Sequence, residues 1–159
     1  MTDARFEDGA EQALRLTARD ADDLRVISAL CQDAVLPATE MRRDRRRRRF
    51  AVLLNRFRWE DRAAAEAARR PYERARALLV IEGVLAVRSL GLDRNDRDLV
   101  LSLLSLDWAA GEDGAGRLTL VLAGDGAVEL TVETLDGALR DVTRPYRAPS
   151  GKAPSHPED

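Results

Sequence analysis

Arg48-Arg49-Phe50-Ala51-Val52-Leu53-Leu54-Asn55-Arg56-Phe57-Arg58-Trp59-Glu60 is the stretch that decides the fold class. In a strand, successive side chains point to opposite faces. Ala51, Leu53, Asn55, Phe57 and Trp59 then share one face. Phe50, Val52 and Leu54 lead the other, followed by Arg56, Arg58 and Glu60. That pattern predicts a strand covered on both sides at its start and wet on one side at its end. Upstream, Leu36–Arg43 reads as the first arm of a hairpin whose second arm is Arg48–Glu60.

Working outward toward the N-terminus, residues 1–12 read as a frayed end. Leu14, Leu16 and Ala18 alternate as a short strand. Asp20 and Asp22 offer N-caps, and acids at 22 and 23 suit the positive end of a helix dipole. Leu24, Ile27, Leu30, Cys31 and Ala34 follow at helical spacing, which predicts a helix over 21–34 with Pro37 beyond it.

Toward the C-terminus, Asp61–Arg70 is rich in alanine and arginine and stops at Pro71, as a short surface helix would. Arg76–Leu92 is dense in Val, Ile and Leu, with Gly83 marking a bend. Strands fit best, although periodicity alone also admits a buried helix. Asp93–Asp98 is a charged loop and Leu99–Trp108 a central strand. Leu118–Leu122 and Val128–Val132 alternate around the tight turn Gly124-Asp125-Gly126. Leu135, Leu139 and Val142 return to helical spacing and predict a short closing helix. Residues 144–159 hold four of the six prolines and read as a disordered tail.

The expected fold is therefore α+β and predominantly antiparallel. It has about seven or eight strands in a curled sheet or small open barrel, with one helix in the N-terminal half and a short one at the C-terminus. A strand-rich barrel closed by a C-terminal helix is similar to a pleckstrin-homology-like architecture. A chain of 159 residues with 45% hydrophobic and 34% charged residues fits one domain, over 13–143.

The chemistry-bearing residues are few. One cysteine excludes an intramolecular disulfide and, with no export signal at the acidic N-terminus, points to a reducing, cytoplasmic setting. No apolar run approaches the ~20 residues of a membrane span. The lone histidine, His156, lies in the tail, and Cys31 lies on the apolar face of a helix. No catalytic residues, cofactor or metal site are expected. Gly111–Gly116 lacks the lysine of a phosphate loop, and Asp93–Asp98 lacks the central glycine and distal glutamate of a calcium loop.

Charge is segregated behind a net value of −2: residues 1–41 carry −5, residues 42–76 carry +9, and residues 77–159 carry −6. Arginines number 25 against one lysine, a bias typical of a GC-rich bacterial genome. Seven of them, Arg42, Arg43, Arg45, Arg46, Arg47, Arg48 and Arg49, surround Asp44 at the hairpin tip. A solvated turn is the plain reading. The functional reading is a surface for an acidic protein or a second copy of the chain, with nucleic acid or another polyanion as the alternative. The scarcity of interleaved aromatics and the acidic remainder favour the former. Asn55, Arg56 and Arg58 form a second candidate, the rim of a small anion or ligand pocket.

Four stretches carry a family resemblance: Asp23–Val35 (DLRVISALCQDAV), Arg48–Glu60, Tyr72–Leu79 (YERARALL) and Leu118–Asp136 (LTLVLAGDGAVELTVETLD). Together they resemble a bacterial family known as domain of unknown function 2948, over roughly residues 13–145. Asn55-Arg56-Phe57 and Trp59-Glu60 are its most specific part. The resemblance implies a cytoplasmic bacterial protein and assigns no activity to any residue. The sequence as a whole predicts a non-catalytic binding or scaffold module. An enzyme working with carboxylates and arginines alone is the remaining alternative.

Overall fold

The computed structural model describes residues 13–93 and 95–154. Their elements run β1 Arg15–Ala18, α1 Ala21–Cys31, β2 Ala34–Pro37, β3 Met41–Asp44, β4 Arg49–Phe57, α2 Arg62–Ala68, β5 Glu73–Glu82, β6 Val84–Leu90, β7 Val100–Ala110, β8 Gly116–Leu122, β9 Ala127–Val132, β10 Gly137–Asp141 and β11 Tyr146–Arg147. Single 3-10 turns lie at Ala38–Glu40 and Trp59–Asp61. All eleven strands join one antiparallel sheet in the order β1-β10-β5-β4-β2-β7-β8-β9-β6, with β3 added to β4 and β11 to β5.

The sheet is open, with β1 and β6 at its two ends, but it curls strongly. Strands β5 and β6 are consecutive in the chain yet stand third and ninth in the sheet. Only Gly83, at φ +69°, separates them. A left-handed residue there lets the chain leave β4 and join β9, and glycine adopts that conformation without strain. The Gly83 carbonyl accepts from Glu133 N–H at 2.9 Å, and Val84 N–H donates to Arg48 O at 2.8 Å. These bonds tie the bend to both halves of the sheet.

The concave side holds the core. Leu118, Leu120 and Leu122 of β8 face Val128, Leu130 and Val132 of β9, and Leu79 and Ile81 of β5 lie beside Phe50, Val52 and Leu54 of β4. Helix α1 packs on β7, β1 and β4 with Leu24, Ile27 and Cys31 buried. Its N-cap is Asp20, whose Oδ1 accepts from Asp23 N–H at 2.8 Å. The register of β7 on β8 shifts between Leu103 and Ser105, and Ser28 Oγ of α1 accepts from Leu106 N–H at 2.9 Å.

Three expectations need correction. There are eleven strands among the described residues rather than seven or eight. The closing helix over Leu135–Val142 is strand β10, which pairs with both β1 and β5. Gly137, Leu139 and Asp141 point inward at period two, and Val142, needed for a helical apolar stripe, is largely exposed. Long-range pairing outweighs a weak local helical pattern interrupted by Gly137. The second helix is instead α2, in the alanine-rich segment. The C-terminal helix that made the expected architecture similar to a pleckstrin-homology barrel is absent among the described residues.

The Arg76–Leu92 ambiguity resolves to strands on either side of Gly83. The proline-rich segment from 144 begins with β11, which pairs Tyr146 with Arg74 and Arg147 with Glu73. His156 lies outside the described residues.

Candidate functional site: the arginine hairpin and its base

Strands β3 and β4 pair from Met41 with Val52 to Asp44 with Arg49, which leaves Arg45–Arg48 as the turn. Asp44 Oδ1 accepts from Arg47 N–H at 3.1 Å, and Arg48 takes φ +52° to close the turn. This local chemistry gives the one acid in the run a role: its side chain accepts from the backbone three residues on and closes the turn.

The seven arginines do not share one fate. Arg49 Nε donates to Glu82 Oε1 at 2.8 Å across β5, and Arg48 is bonded to Glu133 of the segment after β9. Arg47 lies 3.9 Å from Asp44. Arg43 Nη2 donates to Leu85 O at 3.1 Å, spanning from β3 to β6. Among the described residues, Arg42, Arg45 and Arg46 have no carboxylate within ion-pair distance. Arg42, Arg43, Arg45 and Arg49 line one cleft of about 410 Å³ on the hairpin's flank, with Asp44 and Ala51.

A second hollow, of about 330 Å³, lies at the hairpin's base, between β3 and β6. Met41, Phe50, Val87, Leu99 and Val128 give it an apolar floor, and Arg43, Arg97, Asp93 and Asp96 stand around it.

Asn55, Arg56 and Arg58 are not brought together as a rim. Asn55 points outward and lines a separate cavity of about 260 Å³ with Val35, Pro37, Glu40, Leu53 and Arg76. Its buried Oδ1 has no hydrogen-bond partner. Arg56, next on the strand, points inward and is 0% exposed. All five of its N–H groups are engaged. Nε and Nη2 donate to Asp141 Oδ1 and Oδ2 at 2.8 and 2.9 Å, and Nη1 and Nη2 donate to Glu60 Oε1 and Oε2 at 2.8 and 2.6 Å. Nη1 also reaches Phe57 O at 3.4 Å. Burial alone would push the Arg56 guanidinium toward losing its proton, but the bonds and charges of Glu60 and Asp141 hold it above its usual value.

Arg58, 5% exposed, donates through Nη1 to Glu73 Oε1 at 2.6 Å. Arg70 grips both oxygens of Asp61 at 2.6 Å. That grip holds the Asp61 carboxyl below the usual range even though burial acts the other way. Asp141 Oδ2 also accepts from Leu14 N–H at 3.0 Å. Trp59 Nε1 donates to Gln32 O at 2.8 Å, and the Phe57 ring meets Trp59 edge-on at 4.7 Å between centroids. The segment Asn55–Glu60 thus fastens the end of β4 to the end of α1 and to β10. The expectation of a wet strand end fails here because the fold meets every donor of Arg56 and pairs Arg58 with Glu73, so both can be buried.

This knot was invisible in the sequence because Arg56 and Asp141 lie 85 positions apart. The only local signal was Glu60 four residues after Arg56. The acidic ends of the sequence meet the basic middle only in part: Glu133 is paired with Arg48, while Glu129 lies near Arg88 and Arg117, and Asp22 near Arg25.

Cys31 is buried at the C-terminal end of α1, and burial pushes its thiol up to about 12, opposed by the nearby Arg56 charge. It is a packed side chain and a poor nucleophile. No group of three or more His, Cys, Asp or Glu suited to a metal ion exists among the described residues, and no helix there is long and apolar enough to cross a membrane.

No curated protein and no solved structure is significantly similar to the chain. A family model described as a protein of unknown function (DUF2948) matches residues 14–156. That match takes in the arginine hairpin, the hollow at its base and the buried knot alike, and the chain belongs to this family.

Proposed function

We propose that this protein is a non-catalytic binding module of the bacterial cytoplasm that holds an acidic partner protein on its arginine hairpin. The observation that carries the reading is the flank of β3 and β4. Four arginines line one cleft there, and among the described residues Arg42 and Arg45 have no carboxylate within ion-pair distance. Arginine presents a planar fork suited to carboxylates, and unpaired forks at an exposed tip are ready for an outside anion. Elsewhere the strongest carboxylates are already committed: Asp141 and Glu60 to Arg56, Asp61 to Arg70, Glu73 to Arg58. Groups so paired are poorly placed for acid–base work, which supports binding over catalysis. A single cysteine, with no possible intramolecular disulfide, suits a reducing compartment.

The test is fluorescence anisotropy of a labelled poly-glutamate peptide against the full chain, with single-stranded DNA in parallel. Binding of the peptide at low salt, weakened about tenfold in the R42A/R45A/R46A variant, supports the reading. Tighter binding of DNA, with affinity falling linearly in log salt, would replace it with the nucleic-acid reading.

A further inference from the structure

We propose that the hollow between β3 and β6 is a binding site for a small amphipathic anion, an apolar body carrying one anionic head such as a medium-chain carboxylate. The hollow exists because of the topology. Among the described residues, strand β3 pairs only with β4, and β6 only with β9. The two strands approach each other without forming a ladder, and the bond from Arg43 Nη2 to Leu85 O is the link between them. The space beneath runs inward to Phe50 and Val128, which are 3% and 1% exposed. A hollow of about 330 Å³ with an apolar floor lies at the small end of the range for ligand pockets. It is too small for a folded partner's side and large enough for a short alkyl or aryl body.

Two arginines and two aspartates stand at its mouth. Each aspartate gives one oxygen to its own loop and keeps its charge: Asp93 Oδ1 accepts from Asn95 N–H, and Asp96 Oδ1 from Asp98 N–H, each at 3.0 Å. Neither aspartate forms an ion pair with Arg43 or Arg97, although all four residues line the same hollow. Arg97 has no carboxylate partner among the described residues, and Arg43 spends one donor on Leu85 O. Two arginine forks with donors to spare, above an apolar floor, suit an anion on an apolar body. Burial of that body supplies affinity, and the arginines orient the head.

The site goes beyond the acidic-partner reading and shares only Arg43 with it. The experiment is displacement of 8-anilinonaphthalene-1-sulfonate fluorescence from the full chain by decanoate, octanoate, decanol and decyltrimethylammonium. Decanoate should displace the dye saturably. Octanoate, two methylenes shorter, should be weaker by about tenfold. Decyltrimethylammonium should not compete. S89W, which fills the hollow from β6, should abolish displacement. R43E/R97E, with both changes at the mouth, should weaken decanoate about tenfold and leave decanol unaltered. R45A/R46A should leave decanoate binding unchanged, so the two proposals fail separately. Equal competition by the cationic amphiphile, or decanoate affinity unaltered in both S89W and R43E/R97E, would overturn the site.

Discussion

Arg56 and Arg45 are eleven positions apart in one chain, and they have opposite environments. Arg56 is fully buried, and every one of its N–H groups has an acceptor within the protein. Arg45 stands exposed at a hairpin tip and has no carboxylate partner among the described residues. The contrast teaches that arginine content by itself says little about function. What matters is whether the fold supplies acids to meet each guanidinium. In the knot around Asn55–Glu60 it does. On the hairpin it supplies Asp44, Glu82 and Glu133 to seven arginines.

The largest effect is expected from removing the buried guanidinium. R56M leaves Asp141 and Glu60 without their main donor, and should cost about 3–5 kcal/mol in urea denaturation. Adding D141N should recover part of that loss, because a neutral amide is cheaper to bury than an unpaired carboxylate. A loss for R56M below about 1 kcal/mol would show that the knot is dispensable.

A smaller effect is expected at the edge of the knot. W59F keeps most of the ring but loses the bond to Gln32 O, so a loss of about 0.5–1.5 kcal/mol is expected by the same measurement. The acid limb of stability offers a third test. The folded-state pKa of Asp61 lies below its unfolded value of about 3.9, so its contribution is present above pH ~4. That contribution is lost as pH falls through the folded value. D61N should be less stable than the parent near neutral pH, and its stability should fall less steeply below pH ~4. Parallel acid limbs in the two proteins would contradict the pairing.

The smallest expected effect is at the tip. R45A/R46A should change the unfolding free energy in urea denaturation by no more than about 0.5 kcal/mol, as exposed unpaired side chains do. A large destabilisation there would erase the distinction between the two groups of arginines.

Much of this architecture was legible in local pattern. The helix after Asp20, the strands around Gly124–Gly126 and the bend at Gly83 follow from caps, period-two alternation and turn glycines. The hairpin was legible too, though its first arm divides into β2, a 3-10 turn and β3. What stayed hidden depends on partners distant in sequence. Strand β10 exists because β1 and β5 flank it, which Leu135, Leu139 and Val142 do not announce. Arg56 and Arg58 read as a wet face because Asp141 and Glu73 cannot be assigned to them from spacing. The hollow at the hairpin's base arises where β3 and β6 fail to pair, a property of the curled sheet and of no single segment. The arginine run lies at a largely exposed hairpin tip, a placement readable from its local sequence alone.

The most direct test of the account is the binding isotherm of labelled poly-glutamate for R42A/R45A/R46A, read beside its urea midpoint. An affinity lower by about tenfold, with the midpoint essentially that of the parent, is expected. Unchanged affinity in a folded variant would contradict it.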